Sequence, residues 1–311
     1  MLPYYHLVSD EDLVHVRHLF RYRDVRTFNE DLDFLLKHYD PVALDDVIAA
    51  VSRGTKLPRH SFLLTFDDGF REIHDVVAPV LLARGIPAVF FLNTSFLDNR
   101  ALFFRCKASI LADSVDGGGS SVLEGTVLEL RSAGVQAAGD ARANILSVGF
   151  SRRHVLDRIA ELLDVDFQLF LREHKPYLTS DQVRSLQDDG FHIGAHSADH
   201  PLYSDLDLPG QLNRAFDSLA ASARTCHPPH TLFSFPFRSM ISVCPQPFCS
   251  GMWWLHPGHC PDPSFTYGPV DHAKYLSDGY CFFEPRFSRK PKTEARTKKL
   301  GRNGGWLREP V

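Results

Sequence analysis

Two groups of ionisable residues are spaced so that they could form one site. Asp67 and Asp68 follow a continuous apolar run, and His196 and His200 follow a second apolar run far downstream. Two imidazoles four residues apart on one helical turn would share a face, which suits two ligands of one metal ion. With one carboxylate they would make three protein ligands and leave a coordination position open for water. The pattern therefore predicts a hydrolytic site with one metal ion.

Each group has a simpler explanation when it is considered alone. Asp67 and Asp68 could belong to a strand-to-helix turn with a capping carboxylate, and either histidine could be an ordinary polar core residue. Adjacent strand residues point to opposite faces, so both carboxylates can face one site only where the strand ends and Gly69 permits an unusual turn. The occurrence of both groups at strand ends favours a site over coincidental motifs in a structural α/β domain.

The segments around these residues predict alternating strands and helices. Residues 61–66, 86–92 and 191–195 are apolar runs with the pattern of parallel strands that are covered on both faces. An amphipathic helix is predicted between the first two runs, which makes a βαβ unit. Because the candidate residues follow strands, we expect them at the carboxyl edge of a (β/α) barrel or a doubly wound sheet.

The pattern divides the chain into two parts. Residues 1–240 are predicted to form the catalytic domain, with a helical insertion at about 100–178. After Met240 the helical periodicity is lost, and residues 241–311 are predicted to be an irregular, Cys/Pro-rich and basic tail that is disordered or aberrant. A shifted reading frame would explain the change, and resequencing the end of the coding region would test it.

Four of the six cysteines lie in this tail. They are Cys244, Cys249, Cys260 and Cys281, with His256 and His259 among them. A structural zinc site is conceivable there, but the spacing lacks the second Cys pair that such sites usually have. Free thiols in an irregular segment are the simpler interpretation.

The overall composition is that of an ordinary globular protein. The 311 residues are 44% hydrophobic and 23% charged, and their formal net charge is −4. This charge gives no reason to expect nucleic acid as a partner. The sequence shows neither an apolar run long enough for a transmembrane helix nor a secretory signal at its start, so a cytoplasmic location is expected.

The two motifs together carry a specific resemblance. Residues 65–69 read T-F-D-D-G and residues 196–200 read H-S-A-D-H, similar to the T-F-D-D-G and H-S/T-x-x-H motifs of the polysaccharide deacetylase family, carbohydrate esterase family 4. Residues 235–237, F-P-F, are similar to the family's third motif, a proline beside an aromatic residue. The resemblance covers about residues 1–240. It implies a distorted or incomplete (β/α) barrel of the polysaccharide deacetylase type, followed by the irregular tail.

The resemblance also implies a role for each site residue. Asp68, His196 and His200 would hold a divalent metal ion, with Zn²⁺ favoured. Asp67 would be the general base that activates a water molecule. The backbone N–H of Phe237 would help to stabilise the oxyanion that forms at the acetyl carbonyl.

Some residues depart from the family pattern. Ser234 and Phe235 precede Pro236, where family members commonly carry an arginine that tunes the base, and Arg238 lies on the other side. No Leu-x-His sequence follows Pro236, although in the family the histidine of such a motif protonates the leaving amine. His256 is the nearest candidate for that role.

The function implied by the resemblance is a metal-dependent hydrolase that removes acetyl groups from N-acetylated sugars or polysaccharides. Its partner would be an acetylated carbohydrate. Removal of O-acetyl groups at the same site is one alternative. A catalytically impaired glycan-binding protein is another alternative, because the Leu-x-His motif, whose histidine protonates the leaving amine in the family, is missing. His6 is similar to a histidine often found near the family's site, with a packing role as its alternative.

Overall fold

The computed structural model shows an α/β fold and describes residues 1–135, 140–236 and the backbone of 253–254. Phe237 and the predictions for the four late cysteines, His256 and Arg238 therefore lie outside the described residues. The strands are β1 (Tyr4–Tyr5), β2 (Asp40–Pro41), β3 (Ser61–Phe62), β4 (Leu64–Phe66), β5 (Ala88–Leu92), β6 (His192–Ala195), β7 (Leu232–Phe233) and β8 (Trp253–Trp254).

A parallel sheet of six strands forms the centre of the fold. Its order is β1-β4-β5-β6-β7-β8, and β2 and β3 form a separate parallel pair. Neighbours in the sheet follow one another along the chain, which is the winding of a (β/α) barrel; a doubly wound sheet reverses its order at a switch point. The predicted α/β class, with an incomplete barrel, is confirmed for the described residues.

Helices follow most of the strands. They are α1 (Val25–His38), α2 (Leu44–Arg53), α3 (Ala78–Arg84), α4 (Phe104–Ser114), α5 (Ser120–Ser132), α6 (Ala141–Leu146), α7 (Val155–Leu162), α8 (Phe167–His174), α9 (Ser180–Asp188) and α10 (Leu208–Cys226). The helices α4 to α8 occupy the range in which a helical insertion is predicted. Among the described helices, none combines the length and the apolar character needed to cross a membrane.

Helix ends near the sheet carry recognisable sequence signals. Gly85 ends α3 in the left-handed region at φ 62° and donates its N–H to the carbonyls of Leu81 and Leu82, as its position after the apolar stripe predicts. A capping box begins α9: the Thr179 hydroxyl accepts from the Gln182 N–H, and the Gln182 side chain accepts from the Thr179 N–H. These ends fix where the chain enters and leaves the sheet.

The helix after the two aspartates is less regular than the sequence pattern predicts. It begins as a π-helix at Ile73–Val77 and continues as α3, with the Ala78 N–H donating to the Ile73 carbonyl. Pro79 supplies a physical reason, because it has no N–H to donate to the carbonyl four residues earlier. A π-helical turn accommodates that loss, and such turns are frequent near functional sites.

One strand lies in the region predicted to be irregular. Trp253 and Trp254 pair in parallel with Leu232 and Phe233 and so extend the central sheet. Aromatic residues favour strands, but two residues are too few to give a periodic pattern. The remainder of the predicted tail is outside the described residues.

The core has one large part around the sheet and another among the helices α4 to α8. Tyr177 joins the helical part to the strand ends. Its ring stacks on Phe70, directly after the aspartate motif, and on Phe96, after β5. The helical region is therefore packed against the carboxyl edge of the sheet.

Gly194 in β6 is a position where the core requires a glycine. A Cβ atom there would lie 2.6 Å from ring carbons of Phe91 and 2.9 Å from Leu232 Cβ. We expect Gly194→Ala to lower the free energy of unfolding by about 1–3 kcal/mol, as overpacking does in a dense core. Urea unfolding would measure the loss. Gly149→Ala is the matched control, since no heavy atom lies within 4 Å of its added Cβ, and an equal loss in both variants would contradict the prediction.

His15 makes the stability of the helical part depend on pH. Burial, and then the charges of His174 and Arg71, lower its pKa from 6.5 to about 4. Between these two values the unfolded chain binds more protons, so this contribution to stability is present above pH 6.5 and is lost as the pH falls towards 4. We expect wild type to lose about 2 kcal/mol more unfolding free energy than His15→Leu between neutral pH and pH ~4.5.

Urea unfolding of both proteins at the two pH values would measure this difference. His154 provides the control because its side chain is exposed. The unfolding free energy of His154→Leu should change with pH as that of wild type does. An identical pH dependence in wild type and His15→Leu would refute the role of His15.

Candidate metal centre and active site

The ends of neighbouring strands bring the predicted metal ligands together. Asp68 follows β4, His196 follows β6, and β5 lies between these strands. Asp68 Oδ1 is 3.2 Å from His200 Nε2 and 3.7 Å from His196 Nε2. One ligand atom from each of the three residues lies within 4.8 Å of the others, and all three side chains are buried. Within the described residues they are the one group of this kind.

The loop that carries the histidines is not the helical turn that their spacing predicts. Residues 196–200 have no helical structure, and Ser197 and His200 are in the left-handed region at φ 71° and 55°. Asp68 and Gly69 are also left-handed, at φ 74° and 77°. Left-handed non-glycine residues are costly and cluster at functional sites. These turns direct side chains from two strand ends towards one point.

Main-chain groups hold His196 in place. Its N–H donates to the Leu92 carbonyl at 2.8 Å, and its Nδ1 lies 2.9 Å from the Ser234 carbonyl oxygen. Because a carbonyl oxygen only accepts, Nδ1 carries the proton in this contact and Nε2 keeps its lone pair. That lone pair is the one on the side of Asp68. A hydrogen bond of this type fixes the tautomer of a metal-binding histidine.

The electrostatics of the cluster suit a divalent cation. Burial raises the pKa of Asp68 to about 7, and burial lowers the pKa of both His196 and His200. Both imidazoles are therefore neutral, as metal ligation requires. No lysine or arginine within residues 1–135 and 140–236 pairs with Asp68, and its Oδ1 accepts no hydrogen bond there. A divalent cation would supply the missing positive charge, and one carboxylate with two histidines is a ligand set that zinc accepts.

Asp67 lies beside this cluster but outside the ligand group. Its N–H donates to the Tyr5 carbonyl at 3.0 Å, which continues the pairing of β1 with β4. The side chain is half-buried, and the loss of water around its carboxyl group raises its pKa to about 7. A reachable carboxyl group that titrates near neutrality suits proton transfer.

His6 is both near the site and packed. Its ring stacks on Phe20 with 4.6 Å between ring centroids. Burial, and then the charge of His196, lower its pKa to about 4. The two roles expected for this residue are therefore compatible in the structure.

An aromatic wall that the sequence pattern did not reveal closes one side of the cluster. The ring of Phe103 packs on the ring of His200, with centroids 4.8 Å apart. The Phe103 N–H donates to the Tyr177 hydroxyl at 3.0 Å, and that hydroxyl lies 3.6 Å from the Cys106 sulfur. Burial raises the pKa of Cys106, so the thiol stays neutral. Hydrophobic periodicity in the sequence cannot distinguish aromatic residues that pack against a site from other aromatic residues of the core.

The fold and the site define an α/β protein with a buried Asp-His-His cluster. A comparison of the sequence with models of known protein families agrees with this description. The model of the polysaccharide deacetylase family matches residues 54–140. This segment contains Asp67 and Asp68 and ends before the two histidines. The match confirms the resemblance to the polysaccharide deacetylase family and the enzyme class that it implies, a polysaccharide deacetylase-like hydrolase acting on amide bonds.

Several solved structures are also similar to the chain. The Streptococcus pyogenes deacetylase PplD in complex with acetate is 12% identical, over 78% of this chain and 75% of that one, with a TM-score of 0.47. A de-N-acetylase from Aggregatibacter actinomycetemcomitans is 17% identical, over 82% and 86%, with a TM-score of 0.48. IcaB from Ammonifex degensii is 16% identical, over 76% and 72%, with a TM-score of 0.44. No curated protein matches the chain.

Proposed function

We propose that this protein removes acetyl groups from N-acetylated sugars or polysaccharides and that it uses a divalent metal ion, with Zn²⁺ favoured. The observation that carries the proposal is the buried cluster of Asp68, His196 and His200, whose ligand atoms lie within 4.8 Å of one another. The family match over residues 54–140 gives the reaction class. Residues 1–240 form the catalytic domain in this proposal, with the helical insertion at about 100–178.

Asp68, His196 and His200 would hold the ion. A divalent ion held there would polarise the acetyl carbonyl and lower the pKa of water, so that water could act as a nucleophile at neutral pH. The protein supplies one negative charge through Asp68 and two neutral lone pairs through the histidines. Because β4 and β6 fix the main chain on both sides of the cluster, the ligands are held in position before an ion arrives.

Asp67 would accept the proton that the attacking water loses. Its side chain lies outside the candidate ligand group, so the carboxylate can take up that proton. The main-chain N–H of Phe237 would donate to the oxyanion, since donors directed at the developing charge stabilise acyl-transfer transition states. Phe237 follows β7 closely in sequence, and this role is carried over from the family resemblance.

Acetate release by the zinc-loaded protein tests the proposal. The substrates are N-acetylglucosamine oligomers of increasing length and matched O-acetylated glycans, with and without a chelator. Release from the N-acetylated series that stops with chelator and returns with zinc is the expected result. Release from the O-acetylated series alone would replace the proposal with an esterase. Glycan and zinc binding without release from either series would indicate an impaired, glycan-binding protein.

A further inference from the structure

Asn93 lies at the end of the strand between the two strands whose ends carry the candidate metal ligands. It directly follows β5, the strand between β4 with its aspartates and β6 with its histidine. The side chain is buried, with 2% of its surface exposed. Its Nδ2 donates to the His196 carbonyl oxygen over 2.5 Å. The orientation of the amide follows from this contact, because a carbonyl oxygen needs the NH₂ group as its donor.

This bond supports the start of the loop that carries both histidine ligands. The Leu92 carbonyl holds the His196 N–H, and Asn93 holds the carbonyl of the same residue. Two residues further on, the Ser95 N–H donates to the Ala198 carbonyl at 2.9 Å. One segment after β5 therefore holds the ligand loop at successive points. The loop needs such support because Ser197, directly after His196, is left-handed.

The amide of Asn93 is an expensive choice for a purely structural position. Its Oδ1 is buried and accepts no hydrogen bond from any described residue. Buried polar atoms are nearly always paired, and an unpaired acceptor costs free energy. A core position that only needed filling would favour an apolar side chain. The donor that Asn93 directs at His196 gives a reason for an amide here.

We infer that Asn93 is a positioning residue for the metal centre: it holds the main chain of His196 so that the His196 ring meets the ion already oriented. The inference rests on the proposed metal-dependent function. It assigns Asn93 no contact with substrate. Its effect is on the affinity for the ion, through the geometry of a ligand, and this separates it from a residue that merely stabilises the fold.

Zinc affinity of the full-length protein tests the inference. Competition with a chromophoric chelator would give the zinc Kd of wild type and Asn93→Ala, and thermal unfolding would give the Tm of each apo protein. We expect Asn93→Ala to bind zinc about 10–100-fold more weakly, which is the range found when hydrogen-bond partners of metal ligands are removed. The increase in Tm on adding zinc should fall correspondingly.

Asn99→Ala is the matched control. Asn99 also lies after β5 and donates its Nδ2 to a main-chain carbonyl, that of Tyr177, at 3.2 Å. Its loss should lower the Tm of the apo protein and leave the zinc Kd within about threefold of wild type, since its hydrogen bond is to Tyr177 and not to a residue of the candidate ligand group. A purely structural role for Asn93 would give the same result in both variants.

The outcomes separate this inference from the proposed function. If wild type binds zinc and Asn93→Ala binds it with the same Kd, the inference is overturned and the proposed function stands. Wild type that binds no divalent ion would overturn the proposed function and the inference with it. If Asn93→Ala does not fold, Asn93→Ser takes its place with the same expected direction. An unchanged Kd in folded Asn93→Ser would again overturn the inference.

Discussion

Asp67→Asn is expected to lose acetate release by about 10²–10⁴-fold, the contribution typical of a general base, while zinc binds as in wild type. The amide keeps the size of the side chain but cannot accept a proton at neutral pH. Asp67 is outside the group of three candidate ligands, so its replacement should leave the ion in place. Initial rates on an N-acetylglucosamine oligomer and the zinc Kd of both proteins measure the two effects.

An equivalent change far from the site provides the control. Asp157 is an exposed carboxylate in α7 that pairs with Lys107 at 2.6 Å. Asp157→Asn should keep wild-type rates and zinc affinity. Undiminished acetate release in Asp67→Asn would remove Asp67 from the base role. Loss of zinc together with loss of activity would show that Asp67 contributes to binding the ion.

The residues that form the cluster could be predicted because parallel strands impose a simple rule. Residues that follow β4 and β6 must emerge at the same edge of the sheet, so Asp68 and His196 meet there although 128 positions separate them in the sequence. The apolar runs that end in these motifs reveal both strands. The meeting of the two motifs could therefore be predicted from the strands, whereas the choice of Asp68 rather than Asp67 as a candidate ligand came from the family resemblance.

The loop conformations could not be predicted by the same reasoning. A four-residue spacing predicts a helical turn for His196 and His200, whereas the left-handed Ser197 and His200 give an irregular loop. The two side chains meet by a different backbone path. Asn93 was missed because a lone asparagine has no spacing signal. Its position directly after a buried strand is the one feature that could have indicated it.

The departure from the family pattern before Pro236 leaves the main-chain support of His196 in place. Ser234 supports His196 through its main-chain oxygen, at 2.9 Å from Nδ1, and its own N–H donates to the Ala195 carbonyl at 2.9 Å. Both contacts are independent of the side chain at this position. The absence of an arginine therefore leaves these two main-chain contacts in place.

His196→Ala is expected to lose both zinc binding and acetate release. The substitution removes one of the three proposed ligands, so the zinc Kd should rise by more than about 100-fold, which is the upper end for the loss of a ligand's hydrogen-bond partner alone. Activity should fall below detection, because Asp67 without an ion has no activated water to deprotonate. Zinc Kd and acetate release by the same preparation would measure both effects.

His15→Ala separates this loss from the general cost of removing a buried histidine. His15 has 3% of its surface exposed, similar to 2% for His196, but it packs on Phe70 and Phe170 outside the ligand group. His15→Ala should lower Tm and keep the zinc Kd of wild type. Equal zinc affinity in His196→Ala and wild type would exclude His196 as a ligand. Since the bond from Asn93 acts through His196, it would then have no ligand to position, and both assignments would fail together.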